Sequence, residues 1–225
     1  MRRSLVIFTL WCLLALAALL PVTLLLRGSF PLFTVLWLLV PLFAVARTKD
    51  ASRVGFRAIA GGEFIRIAAL NLGGLLLLML LFEPWSHSYQ MLVQAALSSQ
   101  QPDTTFAWLV RLPKLPALGG MLLYSGLVTL FGEELFFRGW LLQLLVRRVG
   151  SVWAVVIQAL LFTLPNLLAS FLLPPLQGTL YAVVYTFLGV GIIGGWAALR
   201  TRSIWPSLFS AAVMNLILVV LTFGA

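Results

Sequence analysis

Seven apolar segments dominate this sequence, at about 5–26, 30–46, 65–82, 117–146, 152–173, 179–199 and 204–223. A bilayer-spanning helix needs about 20 such residues, and a pattern of this kind leaves few folds open. The hydrophobic fraction is 62% and the charged fraction 9%. Soluble chains sit near 45–50% and 25%, so one aqueous core could not hide this much apolar side chain. The expectation is an all-α, polytopic transmembrane bundle of about seven spans, forming a single membrane domain over 1–225.

The segments differ in regularity. The second is short and bracketed by Pro31 and Pro41, which predicts a tilted or re-entrant helix. Pro165 should kink the fifth, because proline removes a backbone donor and crowds the preceding turn. Leu173-Pro174-Pro175 should end that helix, and Trp205-Pro206 should open the seventh, where a first-turn proline is tolerated. The apolar run after Met1-Arg2-Arg3-Ser4 exceeds the 7–15 residues of a signal-peptide core and reads as an uncleaved first span. The stretch 83–115 reads as an external loop carrying an interfacial helix near Tyr89–Leu97.

Charge supplies the orientation. With a cytoplasmic N-terminus, the inner segments hold Arg2, Arg3, Arg47, Lys49, Arg53, Arg57, Arg66, Arg147, Arg148, Arg200 and Arg202. The outer ones hold Arg27, Arg111 and Lys114, a bias that predicts N-in and a C-terminus outside. The net charge of +9 is thereby a topology signal, with no basic face for nucleic acid. The lone Cys12 rules out a disulfide framework or a Cys-rich metal site. The partner expected is the lipid bilayer, in a plasma (inner) membrane, multi-pass.

The remaining basic residue, Arg138, falls deep inside the fourth segment, within Gly132-Glu133-Glu134-Leu135-Phe136-Phe137-Arg138-Gly139. Each ionisable group costs at least ~2.5–3.5 kcal/mol at the centre of a span, so the three should face the bundle interior or a water-filled cavity. Glu134 and Arg138 are four apart and can pair along one α-helical face. Glu133 points about 100° away from Glu134 on such a helix and lacks that partner. Glu134 and Arg138 then read as a brace, and Glu133 as the carboxylate placed to act as a general base. A purely structural salt-bridge cluster is the alternative. Glu133 lies about 14 residues, or ~20 Å, before Arg147, at mid-membrane or somewhat to its cytoplasmic side. Gln143, Gln158, Asn166, Tyr181, Tyr185 and Asn215 could line one cavity with it, although each alone suits an interhelical hydrogen bond. No cofactor is expected. Two glutamates beside an arginine, without a nearby His or Cys, do not make a metal site.

These residues resemble the CPBP family, which includes CAAX-type prenyl endopeptidases and bacteriocin-processing or self-immunity proteins. Glu133, Glu134 and Arg138 look like its first motif. Leu161-Phe162-Thr163-Leu164-Pro165-Asn166 looks like its second, a Phe with a His four residues on. Ser203-Ile204-Trp205-Pro206 through Asn215 looks like its third. The likeness covers 117–217. Asn166 and Ala211 stand where the family has histidines, and the chain's one histidine, His87, matches neither motif. The resemblance implies a glutamate-type intramembrane protease acting on a membrane-anchored protein or peptide. In it, Glu133 would be the base, Glu134 and Arg138 its support, and Asn215 an oxyanion donor. Asn166 can donate through its amide where a neutral His would; Ala211 cannot. Two other readings stay open. One is a non-catalytic relative binding a peptide, lipidated tail or partner membrane protein. The other is a small transporter with broken helices at Gly73-Gly74 and Gly194-Gly195.

Overall fold

The computed structural model describes residues 6–7, 10–11, 32–87, 91, 113, 116, 119–120, 131–171 and 173–223. These residues are helical or irregular, with no strand among them. In hydrocarbon every backbone donor and acceptor needs an internal partner, and apolar segments of this length meet that need as helices. Most of the first apolar segment and most of the 83–115 stretch lie outside the described residues.

Helix α1, Leu32–Thr48, contains Pro41 and leads through Lys49 into a short 3₁₀ turn, Ala51–Val54. Asp50 starts that turn by accepting from the Ser52 amide at 3.0 Å and the Ser52 hydroxyl at 2.7 Å. Those bonds hold its carboxyl below the usual carboxylate range. Gly55 ends the turn at φ 70°, a left-handed conformation that glycine adopts without strain.

Helix α2, Gly61–Ser86, is longer than the 65–82 expected and runs into the predicted loop. Helix α3 is continuous through Phe131–Glu133, Glu134–Leu141 and Leu142–Val149. Helix α4, Ser151–Ser170, passes through Pro165 and stops short of the predicted end at Leu173. Helix α5, Pro175–Thr201, is unbroken across Gly194-Gly195, and α6, Trp205–Phe223, has Pro206 in its first turn as expected.

Among the described residues, two helices are long and apolar enough to cross a bilayer by themselves, Gly61–Phe82 and Pro175–Thr201. Large apolar side chains stand on outer faces throughout: Phe43 is 70% exposed, Leu80 71%, Val152 75% and Phe171 79%. A water-facing surface would not carry so many; their natural solvent is lipid. The described structure is all-helical and consistent with a helical membrane protein.

Helix α5 packs on α4 and α2, and α6 packs on α2, where the Ser210 hydroxyl donates to the Ala68 carbonyl at 3.0 Å. The linker after α1 closes one end of the bundle. The Ile204 amide donates to the Gly55 carbonyl at 2.9 Å, and the Ser203 hydroxyl to the Arg57 carbonyl at 2.7 Å. Val54 seats its carbonyl against Gly139, where a Cβ would collide with it. Leu38, Val45, Val54, Phe56, Phe131, Leu135 and Ile204 form the apolar cluster around this junction. The 3₁₀ turn thus touches both the helix bearing the charged residues and the start of α6.

Candidate functional site

Helix α3 changes form at the charged residues. From Glu134 to Leu141 it is π-helical, and the Leu142 amide donates to the Phe137 carbonyl, five residues back. This corrects the α-helical register expected for the motif. A π turn is wider than an α turn, occurs rarely, and is found often at functional sites. A second π-helical stretch, Tyr181–Ile193, occupies the middle of α5.

Arg138 joins the two stretches. Its side chain is fully buried, with Nη1 3.5 Å from Glu134 Oε1. Its Nη2 donates to the Val190 carbonyl of α5 at 2.7 Å. The guanidinium carbon lies 4.1 Å from the centre of the Phe162 ring on α4, inside the range of a cation–π contact. On the other side, the Ser207 hydroxyl at the start of α6 donates to Glu134 Oε2 at 2.5 Å. Glu134 is 1% exposed, and an ionised carboxylate so placed needs both a counter-charge and a hydrogen bond. Four helices are therefore tied through one ion pair.

Glu133 is different. It is partly exposed, and among the described residues it makes no hydrogen bond or ion pair. Its neighbours on the helix are an engaged carboxylate and a buried guanidinium. A carboxylate whose oxygens are uncommitted can hold a water molecule and take its proton.

The polar residues expected to surround it divide. Asn166 is partly buried and donates through Nδ2 to the Phe162 carbonyl of its own helix at 3.0 Å, leaving the second hydrogen of that amide for another acceptor. Asn215 is partly buried on α6 and engaged in a contact. Ala211 is buried. Tyr181 and Tyr185 stack on one another at 5.7 Å. Gln158 is fully buried with both ends of its amide unpaired, beside Gly195, where a Cβ would come within 2.6 Å of Oε1. Gln143 does not join them. It lines clefts among arginines at the far end of α3, so one cavity for the whole set is not what forms. Gly194 sits beside Arg138 and Gly195 beside Gln158, so these glycines are close-packing points in an intact helix.

Sequence reasoning missed three parts of this site: Ser207, the Phe162 ring as a cation partner, and the Val190 carbonyl. Ser207 did leave a signal. It lies one helical turn after Ser203, a small hydroxyl on the face where α6 begins.

Residues 116–217 match the family model described as type II CAAX prenyl endopeptidase Rce1-like. The matched segment holds α3 to the middle of α6 with Glu133, Glu134, Arg138, Asn166 and Asn215, and over it the chain is similar to that family. No curated protein and no solved structure matches the chain.

Proposed function

We propose that this chain is an intramembrane endopeptidase of the CAAX-protease type, with Glu133 as its general base and a membrane-anchored protein or peptide as substrate. The observation that carries the proposal is the contrast inside the motif. Glu134 is committed to Arg138 and Ser207, whereas Glu133 has no such partner among the described residues. In the reaction, Glu133 takes a proton from a water molecule as its oxygen bonds to the scissile carbonyl carbon. The resulting tetrahedral oxyanion is held by a donor, for which the amide of Asn215 is the candidate. The C–N bond then breaks as Glu133 returns its proton to the leaving amine. No cofactor enters this scheme.

The arginine-rich end would be cytoplasmic and the bundle would span a plasma or inner membrane about seven times, with the N-terminus inside.

A second reading has its own observation. The two positions where the family has histidines hold a buried methyl group, Ala211, and an amide already bonded to its own helix, Asn166. A non-catalytic relative that binds a peptide or lipidated tail in the same place needs neither. Losing an oxyanion donor typically costs ~10²–10³ in rate, so a peptidase with these replacements would be a slow one.

Quantitative mapping of protein termini in membranes from cells expressing the wild type or Glu133→Gln separates the readings. The peptidase reading expects a set of termini present with the wild type and absent with the variant. Identical termini at equal expression would leave the binding reading in its place.

A further inference from the structure

Two clefts at the arginine-rich end have no part in the scheme above. One, of about 300 Å³, is lined by Arg47, Arg53 and Arg147 with Phe43, Trp140 and Leu144. The other, of about 290 Å³, is lined by Arg57, Arg147 and Arg202 with Gln143 and Ser52. Arg147 and Gln143 belong to both, so the clefts adjoin. The five arginines come from the end of α1, the 3₁₀ turn, the linker after it, the end of α3 and the residue after α5. Neither lining contains an acidic residue. The Asp50 carboxylate is bonded to Ser52 and lies 3.9 Å from Arg53 Nε, an exposed pair of little strength.

A charge bias across the bilayer accounts for arginines at this end, but not for their convergence. Five guanidiniums from three parts of the chain, 47–57, 147 and 202, repel one another, and the weak, exposed pair of Arg53 with Asp50 offsets little of that. An arginine fork matches the oxygens of a phosphate, and basic pockets between helix ends are where anionic headgroups bind. The first cleft is also amphipathic. Phe43 is 70% exposed and Leu144 43%, so an apolar flank continues from the arginines along the lipid-facing side.

We infer that the joined clefts seat an anionic phospholipid, its headgroup phosphate on Arg147 and the neighbouring arginines and its acyl chain along Phe43 and Leu144. A free phosphate ion shares the headgroup chemistry but has no use for the apolar flank. The occupant is thus a lipid, and this site is separate from Glu133.

The test uses the full chain purified in detergent, with native mass spectrometry of bound lipid. Phosphatidylglycerol and phosphatidylcholine of identical acyl chains are supplied in parallel, and inorganic phosphate is supplied as a competitor. Phosphatidylglycerol should be retained at least tenfold better than phosphatidylcholine, and an equal concentration of inorganic phosphate should not displace it. Arg147→Gln, which touches both clefts, should weaken retention about fivefold, the worth of one basic residue near an anionic surface. Arg148→Gln and Arg200→Gln remove the same charge at the same end but line neither cleft, and should leave retention within about twofold. Equal retention of the two lipids, an equal loss with Arg148→Gln, or displacement by inorganic phosphate would each overturn the assignment. Melting temperatures of the three variants in phosphatidylcholine should match the wild type, which separates lost binding from lost folding.

Discussion

Replacing Arg138 with Met leaves a side chain of similar reach and no charge, and the structure sets what is lost. Glu134, 1% exposed, keeps only the Ser207 hydroxyl and faces a buried position without its cation. Breaking one side of a buried ion pair costs about 3–5 kcal/mol. The charged hydrogen bond to the Val190 carbonyl and the contact with Phe162 disappear in the same step. Part of their value is already within that figure, because the groups act as one network. A loss of about 4 kcal/mol lowers the ratio of folded to unfolded protein by ~10³ and is a large fraction of a typical stability. Adding Glu134→Gln to Arg138→Met removes the stranded charge while the Gln still accepts from Ser207. The double variant should therefore be more stable than Arg138→Met alone, with a coupling energy of about 2 kcal/mol or more. Equilibrium unfolding in mixed detergent micelles, followed by tryptophan fluorescence, gives all four corners of the cycle. Additive single effects, with coupling below ~0.5 kcal/mol, would refute the claim that these residues form one brace.

Other sites give sharper but smaller effects. Gly139→Ala drives a methyl group into the Val54 carbonyl, and should cost about 1–3 kcal/mol in the same unfolding assay by prising the 3₁₀ turn from α3. Ser207→Ala removes the hydrogen bond to Glu134 and should destabilise by about 1.5–3 kcal/mol, with proteolytic activity falling too if the brace positions Glu133. Gln158→Leu should raise the melting temperature, because the wild-type amide is fully buried with neither end paired; a lowered melting temperature would mean that the amide has a partner in the folded protein.

Parts of this structure can be read from residues close together in the chain. Apolar run length gave the positions of α1, α2 and α4 to α6, and Trp205-Pro206 marked the start of α6. The Glu134–Arg138 contact follows from a spacing of four. What could not be read depends on residues far apart. Ser207 meets Glu134 across 73 positions and Val190 meets Arg138 across 52, and no local pattern announces either. The π-helical stretches are hidden for a related reason. Leu135 to Leu141 carries no local pattern that marks a π turn, and the Val190 carbonyl that Arg138 meets there belongs to the neighbouring helix. Gly139 was visible as the residue after Arg138, but its reason lies in the Val54 carbonyl, which reaches it from a turn 85 residues earlier. The grouping of Gln143 with the site residues failed because position along an apolar helix does not say which end of the bundle a polar side chain serves.

Two adjacent carboxylates, Glu133 and Glu134, carry separate duties in the proposed reaction. The decisive measurement is the cleavage rate of a membrane-anchored substrate, identified from its wild-type-dependent termini, by purified wild type and Glu133→Gln in proteoliposomes. Loss of a general base costs ~10²–10⁴ in rate. Glu133→Gln should show a fall of that size at an unchanged melting temperature, because Glu133 makes no hydrogen bond or ion pair among the described residues. Cleavage by Glu133→Gln at the wild-type rate would contradict it.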